Sequence, residues 1–92
     1  MEALTDNIRL PGELGEQIRW HRQALRMSKS ELAERAGKVR EVVYRLEAGE
    51  DTTVSSLMAV LGALGLVMRL ERAGLPTAEE IARRFQEDED AS

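Results

Sequence analysis

The chain has 92 residues, no cysteine and a formal net charge of −4, which limits it to one small domain held by helix packing rather than by disulfides or a thiolate metal site. A core of that size leaves no room for a large substrate cleft. The charge is unevenly spread: residues 12–49 carry eight Lys/Arg against six Asp/Glu, a net of +2, whereas residues 77–92 carry two Arg against six acids, a net of −4, so a mildly basic body precedes an acidic end. The opening residues MEALTDNIRL have neither the basic start nor the apolar run of a secretion signal, and no apolar stretch approaches membrane-spanning length. A cytoplasmic protein with no membrane partner is expected.

Pro11 suits a first helical turn, where its missing N–H would be unpaired anyway, and Leu14, Ile18, His21 and Leu25 follow at helical spacing. Ser28 with Glu31 three residues on reads as a capping box that opens a second helix, burying Leu32, Ala33 and Ala36 and closing at Gly37. In the third, Val39, Val43 and Leu46 share one face at i, i+4 and i+7, and Gly49 ends it. Thr52 or Thr53 can cap a fourth helix, striped by Leu57, Val60, Leu61 and Leu64 and left at Gly65.

After Gly65 the period changes. Leu66, Met68 and Leu70 alternate with Val67, Arg69 and Glu71, which reads as a β-strand in need of a partner, either residues 8–10 of the same chain or the same segment of a second copy across a two-fold axis. Gly74 and Pro76 then break the chain. Thr77 and Glu80 form a second capping box for a fifth helix striped by Ala78, Ile81, Ala82 and Phe85, ahead of the acidic residues 87–90.

No catalytic constellation is visible: there is no nucleophile with a histidine partner, no glycine loop to cradle phosphate and no carboxylate pair in a cleft. An enzyme is not expected, nor is a cofactor. His21, the one histidine, falls on the apolar face of the first helix and reads as a packed residue rather than a metal ligand. Trp20 falls off that face, as a surface residue or a partner contact.

The motifs LGEQIR, SELAERAG, VVYRLEAG and LMAVLGALG, with their helix lengths, glycine positions and apolar spacing, resemble the Xre/Cro family of phage and bacterial helix-turn-helix repressors from Leu14 to Leu64. The stretch EDTTVSSLMAVLGALGLVMRLE is similar to HipB-type antitoxins, in which such a helix runs into a strand that pairs across the dimer. The resemblance implies an all-α, five-helix, lambda-repressor-like domain with one short β-strand after helix four. It divides the chain into an N-terminal arm (1–11), a helix-turn-helix domain (12–65), a strand for dimerisation (66–71) and a C-terminal helix with acidic tail (72–92).

Carried over residue by residue, the family's base-reading positions fall on Arg40, Glu41 and Arg45, with Tyr44 beside them for a thymine methyl or a phosphate. An arginine can donate twice to a guanine and a carboxylate can accept from a cytosine amine. The phosphate-contacting positions fall on Lys29, Thr52, Thr53 and Ser55 at two helix starts. A structural ion pair is implied between Arg22 and Glu47, and dimerisation through Leu66, Met68 and Leu70. Double-stranded DNA, a second copy of the chain and a kinase toxin are the implied partners. Two functions follow: repression of its own operon by a homodimer on a palindromic operator, or neutralisation of a HipA-like kinase. The plain alternative for Arg40, Glu41 and Arg45 is a solvated helix face with local charge pairs, and for the hydroxyls simple helix caps. The chain departs from the family's usual Gln at Lys29 and Ser at Val39, and Glu50 and Asp51 place negative charge near the implied phosphate path.

Overall fold

The computed structural model describes residues 7–73 together with Ala82 and Arg83. Among the described residues, four helices follow one another: α1 (Pro11–Ala24), α2 (Lys29–Ala36), α3 (Arg40–Glu47) and α4 (Val54–Ala63). Each boundary has a local cause. Before α1, the Glu13 carboxylate accepts hydrogen bonds from the Arg9 and Leu10 N–H groups at 2.7 and 2.9 Å, which satisfies donors at the helix start and holds its carboxyl below the usual carboxylate range. At α2 the capping box is reciprocal: Ser28 Oγ accepts from the Glu31 N–H at 3.0 Å and Glu31 Oε1 accepts from the Ser28 N–H at 3.1 Å. Gly37, at φ 67°, ends α2 in the left-handed region, and the Lys38 N–H donates back to the Ala33 carbonyl at 2.9 Å. Thr53 caps α4 by accepting from the Ser56 N–H at 3.1 Å.

All four helices and the α1–α2 turn feed one core, comprising Ile18, Met27, Leu32, Ala33, Val43, Leu46, Val60, Leu61 and Leu64. Burying each of the larger side chains contributes about 1.5–3 kcal/mol, the main term holding so small a domain together. α3 packs on both α1 and α2, and α2 packs also on α4. The α1–α3 approach is close: a Cβ on Gly15 would stand 2.5 Å from the carbonyl oxygens of Leu46 and Glu47. Only a glycine fits there.

The expected five-helix domain with a strand is not seen: among the described residues there are four helices and no strand. Residues 66–71 form no strand: Leu66 N–H closes α4 by donating to the Leu61 carbonyl at 2.9 Å, and beyond it no ladder forms with residues 8–10. Alternation of side chains describes an extended chain, but a strand also needs a hydrogen-bonded neighbour. Of the fifth helix, only Ala82 and Arg83 are described, both in helical conformation; Thr77, Ala78, Glu80, Ile81, Phe85 and the acidic residues 87–90 lie outside the described residues. Two core positions also move. Val39 is the N-cap of α3 and 69% exposed, because the helix starts after it and its side chain leaves the helical face. Leu25 lies past the end of α1 and is 53% exposed. The chain reverses at Arg26, at φ 57°, and Met27 takes the buried place.

Candidate nucleic-acid interface

The inner face of α3 is anchored by a buried charge pair. Arg22 of α1 donates to Glu47 through Nε at 2.7 Å and Nη2 at 3.0 Å, and its Nη1 donates to the Met27 carbonyl at 2.9 Å. The Glu47 side chain is 1% exposed, and Arg19 Nε approaches at 3.5 Å the same Oε1 that accepts from Arg22 Nη2. The hydrogen bonds to Glu47 raise the Arg22 pKa further above its ordinary value, against the opposing effect of burial. A pair so placed adds little over an apolar replacement, yet losing one partner costs about 3–5 kcal/mol because the other charge stays buried. Its consequence is geometric. It fixes the C-terminal end of α3 against α1 and the turn into α2. Arg19 and the Met27 carbonyl were not legible in the sequence, since neither belongs to a local motif.

The outer face of α3 carries two side-chain clusters. At its start, Arg40 Nη2 donates to the Tyr44 hydroxyl, while the Lys29 ammonium from α2 stands 4.0 Å from the centre of the Tyr44 ring and the Arg40 guanidinium carbon 4.9 Å from it. The hydrogen bond from Arg40 is the chief reason the Tyr44 hydroxyl is more acidic than usual, with the charges of Arg40, Lys29 and Arg22 acting in the same sense. One turn along, Arg45 and Glu41 pair at 3.0 Å with both side chains more than half exposed; such an i, i+4 pair is worth about 0.3–0.5 kcal/mol and is readily exchanged for other partners.

A shallow depression of about 350 Å³ lies between α3 and the start of α4, lined by Val39, Glu41, Val42, Arg45, Asp51, Thr52, Thr53 and Ser56. It joins Glu41 and Arg45 to Thr52 and Thr53, so residues assigned to bases and residues assigned to phosphates share one concavity. The Thr53 hydroxyl is occupied as the α4 cap, 2.8 Å from Ser56 Oγ and 3.2 Å from Ser55 Oγ. Ser55 is exposed and Thr52 half-buried. Lys29 stands apart from this depression, at the α2 side of Tyr44. Glu50 and Asp51 are exposed in the α3–α4 turn.

Leu66, Met68 and Leu70 lie on the far side of the domain, along a groove of about 500 Å³ between residues 7–9, the α1 face with Leu14, Ile18 and His21, and residues 66–73. Leu66 packs on the core, whereas Met68 is 44% and Leu70 90% exposed. Trp20 and His21 are half-buried, their rings in edge-to-face contact at 5.2 Å. Among the described residues no cluster of three or more His, Asp or Glu could hold a metal ion, and no helix is long and apolar enough to cross a membrane.

A short α2, a three-residue turn, and an α3 clamped on its inner face and charged on its outer one define a helix-turn-helix domain. The helix-turn-helix family HTH_3 matches residues 18–67, more than half of the chain, and the protein belongs to this Xre-type family. No curated protein matches it. Solved structures of HipB do. HipB bound to an O4 operator 20-mer is 27% identical at a TM-score of 0.70, the match covering 75% of this chain and 99% of that one. The HipA-HipB-O2-O3 complex is 26% identical over 75% and 99% at the same TM-score, and a HipB variant on an O2 20-mer is 26% identical over 75% and 97%. Family and likeness together support a DNA-binding helix-turn-helix regulator, similar in structure to HipB.

Proposed function

We propose that this protein is a sequence-specific transcriptional repressor, acting as a homodimer on a palindromic operator and controlling its own operon. The observation that carries this reading is the exposed set Arg40, Glu41, Tyr44 and Arg45, with the half-buried Lys29 of α2 against Tyr44, on a recognition helix whose inner face is locked to α1 through Glu47. Arg40, Glu41 and Arg45, with Tyr44 beside them, then address base edges in the major groove, while Lys29, Thr52 and Ser55 meet phosphates, with Thr53 presenting the α4 start. The N-terminal arm (1–11) precedes this domain (12–65). The exposed Met68 and Leu70 beside Leu66, in residues 66–71, supply the contact to the second copy, which places two recognition helices ~34 Å apart in successive major grooves.

A second reading is favoured by one specific likeness. HipB is found in a complex with HipA and operator DNA, so this protein also serves as an antitoxin that holds a HipA-like kinase.

Fluorescence anisotropy with the gene's own upstream region against scrambled duplex, over a salt series, tests the repressor. Specific binding that survives physiological salt is expected. Arg40→Ala should then relax preference at one base pair per half-site, costing about 1–3 kcal/mol, while Lys29→Ala weakens all sequences alike. Weak binding to both duplexes that vanishes with salt would refute the repressor and turn attention to the protein partner.

A further inference from the structure

Tyr44 stands between two cations that come from different helices. Lys29 opens α2 and Arg40 opens α3, and without an intervening group these like charges would repel and splay into solvent. The aromatic ring faces the ammonium at 4.0 Å and the guanidinium at 4.9 Å, and the ring hydroxyl accepts from Arg40 Nη2. Ring and hydroxyl therefore draw both cations to one spot at the mouth of the helix-turn-helix turn. By contrast, Arg45 is tied to Glu41 through an exposed pair, whose carboxylate cancels its charge. The Lys29–Tyr44–Arg40 cluster is the part of the α3 outer face where positive charge is concentrated without a carboxylate among its contacts.

The hydrogen bond also sets an orientation. With one Nη2 hydrogen directed at Tyr44, the guanidinium plane is fixed, and its remaining N–H groups keep the fork that matches guanine O6 and N7. An arginine that swings freely must lose side-chain freedom on binding; one held beforehand loses less. Tyr44 is 40% exposed, so its ring can play this part without being taken from the core.

We propose that Tyr44 is a positioning and specificity-determining residue, holding Arg40 for a guanine in each operator half-site and Lys29 for the adjacent phosphate, rather than reading a base itself. The inference rests on the DNA-reading function proposed above and adds how that reading is enforced. It also gives the chain's lysine at the start of α2 a purpose: the charge at Lys29 and the ring at Tyr44 form one unit.

The test uses the full chain and two independent readouts. In the first, anisotropy is measured on the upstream region and on duplexes carrying each single base-pair change in a half-site. Arg40→Ala identifies the base pair that Arg40 discriminates. Tyr44→Phe, which keeps the ring and removes the hydroxyl, is expected to lose about three- to tenfold of discrimination at that same base pair, with the salt slope unchanged. Tyr44→Leu should lose this and also weaken all sequences, as Lys29 is released. In the Arg40→Ala background, Tyr44→Phe should do nothing further, because its effect passes through Arg40. In the second readout, Tyr44 is the only tyrosine in the chain, so phenolate absorbance in the free protein titrates this hydroxyl alone, and Arg40→Ala should move its midpoint upward toward the ordinary tyrosine value. Discrimination retained in Tyr44→Phe and Tyr44→Leu, a loss at a different base pair, or a midpoint that does not move would overturn the inference while leaving the repressor reading intact. A wild-type protein with no sequence preference would overturn both.

Discussion

At Gly15 the backbone of a second helix stands where a side chain would begin, so one added methyl group there should have a large effect. Gly15→Ala in α1 places a Cβ 2.5 Å from the Leu46 and Glu47 carbonyl oxygens and 2.9 Å from the Glu47 carbonyl carbon. These are backbone atoms at the end of α3, so no rotamer change relieves the clash; α1 and α3 must move apart by several tenths of an ångström. Exchanging glycine for alanine in a helix gains about 0.5–1 kcal/mol. Against this stands an overpacking cost of about 1–3 kcal/mol, and separating the helices also stretches the buried 2.7 Å Arg22–Glu47 contact. The net expectation is a loss of about 1–3 kcal/mol, large for a small domain. Gly62→Ala in α4 is the control, since its Cβ would meet nothing within 4 Å; it should gain about 0.5–1 kcal/mol. Urea unfolding followed by circular dichroism measures both. A Gly15→Ala protein as stable as wild type would refute the tight α1–α3 seat, whatever the control does.

Three further outcomes follow from single contacts. Glu47→Gln leaves Arg22 buried at full charge with a weaker partner and Arg19 without its carboxylate, so stability should fall by roughly 2–4 kcal/mol, and DNA affinity should drop without altered base preference; a unchanged denaturation midpoint would contradict this. Arg26→Gly should raise stability by about 0.5–1 kcal/mol, because a left-handed φ of 57° costs a side-chain-bearing residue about 1–2 kcal/mol, more than the extra chain entropy of glycine; thermal melts decide it, and a lowered Tm would show that the arginine side chain has a stabilising contact. Glu50→Gln with Asp51→Asn should strengthen binding to specific and random duplex alike, about twofold per charge, as a unit charge roughly 10 Å from a phosphate in water is worth about 0.4 kcal/mol before screening. An effect on one duplex only would mean that these acids read sequence.

What the sequence disclosed and what it hid divide along one physical line. Ser28 with Glu31, Gly37 after Ala36 and the Leu32–Ala33 stripe are determined within a turn or two of chain, so caps, glycines and period located the first four helices. Gly15 carries no such local sign: its reason is a carbonyl more than thirty residues away, visible only once α1 and α3 are packed. Met27 was hidden for a related cause, because the left-handed turn at Arg26 resets the helical phase and hands the core position from Leu25 to its neighbour but one. Residues 66–71 failed in the opposite direction. Alternation made them look like a strand, but pairing is a property of two segments, and the second is not supplied among the described residues. At the site, the order Lys29, Arg40, Tyr44 gave candidate contacts one by one; their convergence on one ring depends on the α2–α3 angle.

The distribution of charge connects this geometry to what the molecule needs from its DNA. Of the eight basic residues in the +2 body, Arg19 and Arg22 meet Glu47 and Arg45 meets Glu41, so three of the eight are already engaged with carboxylates inside the protein. Affinity for DNA in general scales with the number of phosphates a protein can neutralise, and one copy has few groups for that. Such a module should bind random duplex weakly, a useful trait for the proposed repressor, since random sites vastly outnumber operators. Specific affinity must then come from two sources: preformed contacts such as Arg40 held by Tyr44, which spend little freedom on binding, and a second copy, which makes the second half-site an intramolecular target. If the domain reads one operator as a dimer, as proposed, that reading depends on Tyr44 and on the dimer contact together, and relaxing either should cost specificity before it costs the fold.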